Sequence, residues 1–180
     1  MKIFGIDPGS DRTGYGCVET KGSRHHLVIC GTLSAPRGAT FPDKLNHIHA
    51  GLCALLARHR PDCVAIESVF HARNVRSALV LGQARGVALL AASEAGLPVF
   101  EYAPAEVKRA VVGYGRAEKA QVQQMIKLLL GLAAPPEPHD AADALAIAIC
   151  HVHCATGIVA ERAAAEKPSS TLKSWRDFRP

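Results

Sequence analysis

The sequence predicts an α/β fold: a mixed five-stranded sheet, in the element order βββαβαβα, with helices on both faces. Three observations carry that expectation. Short apolar runs of strand length recur at residues 2–7, 63–67 and 98–102, and longer segments with apolar residues at helical spacing lie between and after them. The first three strand-like segments follow one another through tight turns, so they pair as a meander. The later strands return through helices, and such crossovers run parallel to the first strand.

Residues 2–7, Lys-Ile-Phe-Gly-Ile-Asp, read as a strand buried on both faces. The turn Pro8-Gly9-Ser10-Asp11-Arg12-Thr13-Gly14 follows, then a strand near 14–20. Lys21-Gly22-Ser23 makes a tight connection to a third strand near 25–34. Pro42 stands near the start of a helix reaching about Arg60, with Leu45, Ile48, Leu52, Leu55 and Leu56 on one stripe. Pro61-Asp62 ends it, and 63–67 is the fourth strand. Residues 75–95 form an apolar helix closed by Gly96, and Pro98 to Tyr102 is a short fifth strand. Two helices are expected near 104–112 and 117–130, parted by Gly113-Tyr114-Gly115. The loop 133–138 leads into a last helix at about 140–155. Beyond Thr156 no apolar period remains, so the chain divides into one domain over 1–156 and a loosely ordered tail over 157–180.

At 180 residues the chain is long enough for one sizeable core, and 48% hydrophobic with 21% charged residues is an ordinary balance for a globular domain. No apolar stretch is read as reaching the ~20 residues needed to cross a bilayer. Asp7 interrupts any signal-peptide core at the N-terminus. Cys17, Cys30, Cys53, Cys63, Cys150 and Cys154 form no CxxC pair and sit mostly in apolar segments, which points to buried reduced thiols and a cytoplasmic protein without membrane contact. The formal charge of +5 is concentrated: from Ser68 to Lys127 there are eight Lys/Arg against four Glu. A basic middle beside an acidic cluster fits a bound polyanion, and it equally fits a solvated surface.

The acids are more informative. Asp7 and Glu67 each end an apolar strand, and Asp140 and Asp143 open the last apolar helix. A carboxylate at the end of a core strand does little for packing. Four of them converging would repel one another unless a cation lay between, which is the requirement for a divalent-metal site of hard oxygen ligands. Asp140 and Asp143, three apart, share a helix face in a first turn whose unpaired N–H groups favour ionised carboxylates. Two metal ions so held could activate water against a phosphodiester in an in-line displacement. The glycines after Asp7 could instead cradle a nucleotide phosphate, but an ATPase using that hairpin needs a second lobe for which this chain is too short.

The stretches Ile6 to Gly16, Ala65 to Phe70, Ala78 to Val87, Tyr102 to Val122 and His139 to Ala148 resemble, in order and at family spacing, the RuvC family of bacterial Holliday-junction resolvases. The likeness runs from residue 2 to about 155. It implies a ribonuclease-H-like nuclease domain, a homodimer, and Mg²⁺-dependent endonuclease activity with Mn²⁺ able to substitute, two ions serving each active site. Symmetric nicks in a four-way junction would leave 5′-phosphate and 3′-hydroxyl ends, in recombination and repair, with a branch-migration motor complex as a further partner. Asp7, Glu67, Asp140 and Asp143 are then both catalytic and metal-binding. DNA-binding roles fall to Phe70, Arg73, Arg76, Lys108 and Lys119, with Phe70 a stacking platform at the junction centre and the lysines on phosphates near the cut; His71 and Asn74 join as further contacts. Without the family, Phe70 reads as a loop-rim core residue and both lysines as solvent-facing. The apolar helix from Arg76, with Gly82 and Gly86 four apart, would meet its copy in the other subunit. His139 could touch metal or water, or be a loop histidine. Cys150-His-Val-His-Cys154 reads as buried thiols rather than zinc ligands. Two other readings stay open: a junction binder without catalysis, and another nuclease of this fold acting on RNA–DNA hybrids.

Overall fold

The structure is a computed structural model that describes residues 1–68 and 74–165, with side chains as far as residue 155. Strands β1 (Lys2–Asp7), β2 (Arg12–Lys21) and β3 (Arg24–Ser34) form the meander. They are followed by α1 (Phe41–His59), β4 (Cys63–Glu67), α2 (Val75–Glu94), β5 (Val99–Tyr102), α3 (Pro104–Val112), α4 (Lys119–Leu129) and α5 (His139–Ala165). The sheet order is β3-β2-β1-β4-β5. β1 pairs antiparallel with β2 and parallel with β4, and β5 continues parallel on β4. This is the α/β arrangement expected from the sequence.

Strand alternation divides the core in two. Phe4, Ile6, Val64 and Ile66 face one way and pack with Ile48, Leu52 and Leu56 of α1 and Ala88, Ala91 and Ala92 of α2. Ile3, Cys63 and Ala65 face the other way, against Leu145 and Ile149 of α5, Val107 and Val111 of α3, and Val122 and Ile126 of α4. Odd-numbered positions of β1 and β4 therefore look toward α5. Asp7 and Glu67 continue those two odd rows, Ile3-Gly5-Asp7 and Cys63-Ala65-Glu67, beyond the last paired residues Ile6 and Ile66.

What lets α5 approach is a file of glycines. A Cβ on Gly5 would lie 2.0 Å from the Ala144 carbonyl oxygen, one on Gly14 2.0 Å from that of Asp140, and one on Gly16 2.7 Å from the Leu145 side chain. The helix thus rests directly on the backbones of β1 and β2, with residues 141–152 buried apart from the partly exposed Asp143. Gly14 lies within β2 opposite Asp7, so its role is close approach rather than turning the chain. We expect Gly14→Ala to cost about 3 kcal/mol or more, since the obstructing atom is backbone and cannot rotate away. Thermal unfolding measures this, and an unchanged melting temperature would contradict the packing.

Two expectations need correction. The final helix does not stop near 155 but continues to Ala165, through nine residues assigned to the tail. Alanine carries helix propensity there without any apolar period to reveal it. Residues 166–180 lie outside the described residues. Second, α2 is a 20-residue helix long and apolar enough, by length and composition, to cross a membrane. Its position is that of a sheet-covering helix: Ala84, Ala88, Ala91 and Ala92 are fully buried, and Arg85 is ion-paired with Glu101 of β5.

Candidate active site

The two strand-end acids and the two helix-start acids meet at the carboxyl edge of β1 and β4. Gly14 is opposite Asp7 in the β1–β2 register and lies directly beneath the Asp140 backbone, so the start of α5 sits over Asp7. Asp143, one turn along, faces the same edge.

The electrostatics reflect this crowding. Burial, and then the charges of Glu67, Asp143 and Asp140, push Asp7 from 3.8 up to about 8. Glu67 is raised too, by burial first and then by Asp143. Carboxyls gathered in a half-buried edge cannot all ionise without a counter-charge.

Part of that counter-charge is present. The Lys119 ammonium donates a 2.9 Å hydrogen bond to Asp143 Oδ2, which raises its own pKa. Arg12 Nη1 lies 3.5 Å from Asp140 Oδ2. Lys108, half-buried on α3, lowers the pKa of Glu67 from a distance. Lys119 is thus paired with the acid cluster, and Lys108 adds positive charge near Glu67 without an ion pair to it. Two of the four acids have no contacting cation among the described residues, and the remaining negative charge is of the kind that hard divalent cations neutralise through oxygen ligands. In chemistry the carboxylates of Asp7, Glu67, Asp140 and Asp143 suit such an ion, although no three of them place oxygens within 4.8 Å of one another, so holding it would draw the side chains closer.

Arg12 was missed at the sequence level. It lies in the stretch read as a turn, and its acidic partner is more than a hundred residues away. A cleft of about 630 Å³ runs beside it, bordered by Lys119, Gln123, His139 and Asp140. His139 is exposed at its rim. A second groove of about 390 Å³ lies between Gly9 and Ser10 of the first turn and Arg76, Ser77 and Val80 of α2, and Arg76 borders it. Phe70, His71 and Arg73 lie outside the described residues. Asn74 is the N-cap of α2, accepting from the Ser77 amide at 2.8 Å, so its side-chain oxygen is already engaged.

The nucleotide-hairpin possibility finds no support. The Gly9 amide donates to Thr13 Oγ1 at 3.4 Å, and the Thr13 hydroxyl donates to the Gly9 carbonyl at 2.8 Å, so the turn closes on itself. Between Cys150 and Cys154 both histidines are committed elsewhere. His151 Nδ1 shares a 2.7 Å hydrogen bond with the Tyr102 hydroxyl, and His153 Nδ1 lies 2.9 Å from the Ala110 carbonyl oxygen. Cys150 and Cys154 are free thiols, Cys150 fully buried and pushed upward by that burial. All six cysteines are unpaired.

Residues 3–151 match the family described as crossover junction endodeoxyribonuclease RuvC. The RuvC of Citrifermentans bemidjiense is 55% identical over 157 residues, covering 86% of this chain and 94% of that protein. The RuvC of Trichlorobacter lovleyi is 50% identical over 182 residues and spans the whole of both chains. Among solved structures, Thermus thermophilus RuvC in complex with its Holliday junction substrate superposes with a TM-score of 0.80 at 35% identity, over 87% of this chain and 96% of that one.

Proposed function

This chain belongs to the crossover junction endodeoxyribonuclease RuvC family, and we propose that the acid-lined edge of β1, β4 and α5 is the site at which it cuts DNA. It is a Holliday junction resolvase: a hydrolase that binds four-way junction DNA, and its family's chemistry depends on metal. The observation that supports the location is the convergence of four carboxylates with so little matching positive charge that burial and mutual repulsion push Asp7 up to about 8.

Asp7, Glu67, Asp140 and Asp143 would hold the metal, which we take to be two Mg²⁺ ions with Mn²⁺ able to replace them. When bound, the ions supply an activated water and stabilise the charge on the leaving oxygen, giving 5′-phosphate and 3′-hydroxyl ends. Asp7 must lose the proton it keeps in the metal-free protein. Lys119 holds Asp143 in place, and Arg12 does the same for Asp140. Both cations can also move to DNA phosphates, whose approach replaces one negative partner with another. Lys108 and Arg76 are proposed phosphate contacts at the two flanks of the site. Phe70 and Arg73 retain their assigned DNA roles on the strength of the family resemblance alone.

Paired cuts need two active sites, and α2 offers the surface for a homodimer. Val75, Leu79 and Leu90 are 77%, 64% and 51% exposed, and a Cβ on Gly82 or Gly86 would meet nothing within 4 Å. An apolar helix face left open in this way is suited to a second copy of itself. The branch-migration motor as a partner and the cytoplasm as the compartment are proposed on the family resemblance alone.

The test is to incubate an immobile and a mobile four-way junction with protein and Mg²⁺ and to map nicks on all four arms. Nicks at symmetric positions on two opposed strands are expected. Scattered cutting, or equal cutting of linear duplex, would refute resolution at this site.

A further inference from the structure

Away from the carboxylate pocket, on the opposite face of the sheet, a second group of ligand-type side chains meets between α1 and α2. We propose that His49, Cys53 and Glu94 form a binding site for a borderline-soft divalent cation of the zinc class, joining the end of α2 to the middle of α1.

His49 and Cys53 are four residues apart on α1 and so share a face. Glu94 is the last residue of α2. Their donor atoms all lie within 4.8 Å of one another. Cys53 Sγ is 3.6 Å from His49 Nε2 and 3.7 Å from Glu94 Oε2, and His49 Nε2 is 2.9 Å from Glu94 Oε2.

Those separations can be set against the demands of zinc. With Zn–S near 2.3 Å, Zn–N and Zn–O near 2.1 Å and tetrahedral angles, the sulfur–nitrogen and sulfur–oxygen edges are each about 3.6 Å and the nitrogen–oxygen edge about 3.4 Å. Both sulfur edges already have that length. The third is about 0.5 Å short because a hydrogen bond now spans it, and a small swing of the exposed Glu94 carboxylate opens it.

The donor chemistry also separates the two sites. A thiolate, an imidazole and one carboxylate select zinc-like ions, whereas four carboxylates select magnesium-like ones. Burial and then the Glu94 charge keep the Cys53 thiol protonated without a cation. On binding, the thiol proton passes to solvent and sulfur ligates as thiolate, so uptake releases a proton and strengthens with pH. A cleft of about 600 Å³ opens beside Cys53 and Glu94 and gives an entry path, with room for water as the fourth ligand. The site's effect would be structural, since α1 and α2 cover the face of the sheet away from Asp7 and contribute no acid to it.

The experiment uses tag-free, chelator-stripped full-length protein with Mg²⁺ in excess to occupy the carboxylate pocket. Co²⁺ is titrated as a spectroscopic probe and then displaced with Zn²⁺. A thiolate-to-cobalt charge-transfer band saturating near one equivalent and bleached by Zn²⁺ is expected. Oxygen ligands give no such band, so the result is independent of the carboxylate reading. Cys53→Ser should abolish the band and weaken Zn²⁺ by more than ~100-fold, beyond what loss of an outer-shell partner costs. His49→Gln and Glu94→Gln should each weaken it at least ~10-fold. Cys150→Ser and Cys154→Ser should leave the band in place. Junction binding by each variant shows that it is folded. No band in the wild-type chain, a band that survives Cys53→Ser, or one indifferent to both His49→Gln and Glu94→Gln would overturn the proposal. In those cases the three side chains are an inter-helix hydrogen-bond cluster only.

Discussion

Asp7→Asn is expected to cut a four-way junction at least ~1,000-fold more slowly than the wild-type chain, while binding it within a few-fold. The carboxamide has the size and shape of the carboxylate, so the close packing of α5 on β1 and β2 survives. What goes is one negative oxygen at the centre of the cluster, the acid whose pKa is raised by Glu67, Asp143 and Asp140 together. A divalent ion held by fewer charged oxygens binds more weakly and stabilises less developing charge, and a thousandfold loss corresponds to about 4 kcal/mol of transition-state stabilisation. Junction affinity rests instead on cations meeting phosphates, and removing a negative charge beside phosphate does not weaken it. Cleavage rates under single turnover and a binding titration on the same junction separate the two effects. Cutting by Asp7→Asn at the wild-type rate in Mg²⁺ would remove the four acids from the chemistry.

How much of this was legible beforehand follows a physical line. Strands and helices announced themselves through local period, and each element appears in the structure in its expected place. Asp7 and Glu67 stood out because an acid closing an apolar run has no local explanation, and Asp140 and Asp143 because two acids three apart open an apolar helix where a cap needs only one. The reason the four meet was hidden. Gly5, Gly14 and Gly16 act only through Ala144, Asp140 and Leu145, all well over a hundred residues downstream, and a glycine's neighbours cannot be read from its own surroundings. Arg12 was missed for the same cause, and so was the grouping of Glu94 with His49 and Cys53 across two helices. The extension of α5 was lost differently: propensity favoured helix after residue 155, but the absence of an apolar stripe outweighed it in the reading. Local chemistry was visible, and its long-range partners were not.

The same crowding makes the metal-free protein lose stability as pH rises, in the opposite sense to the usual ion-paired carboxyl. Asp7 has a pKa of about 8 in the folded chain against 3.8 ordinarily. Below about pH 4 the group is protonated in both states and contributes nothing. Between about 4 and 8 the folded state keeps a proton that the unfolded state has released, so raising the pH favours unfolding, by up to about 1.4 kcal/mol per pH unit. Glu67, raised for the same reasons, adds in the same direction. Above about 8 both states are ionised at Asp7 and the loss is complete, several kcal/mol at that slope. Mg²⁺ reverses the sign, because ionised acids are what it binds and it binds only the folded arrangement. Stabilisation by Mg²⁺ should therefore be slight near pH 5 and large near pH 8. Asp7→Asn removes the share of the effect that runs through Asp7 and its coupling to its neighbours: in EDTA its melting temperature should exceed that of the wild-type chain by an amount that grows from pH 5 to pH 8. Adding Mg²⁺ should narrow or invert that gap. A difference between the two proteins that stays constant across this range would mean that Asp7 is ionised without metal, and that the remaining charges around it already balance.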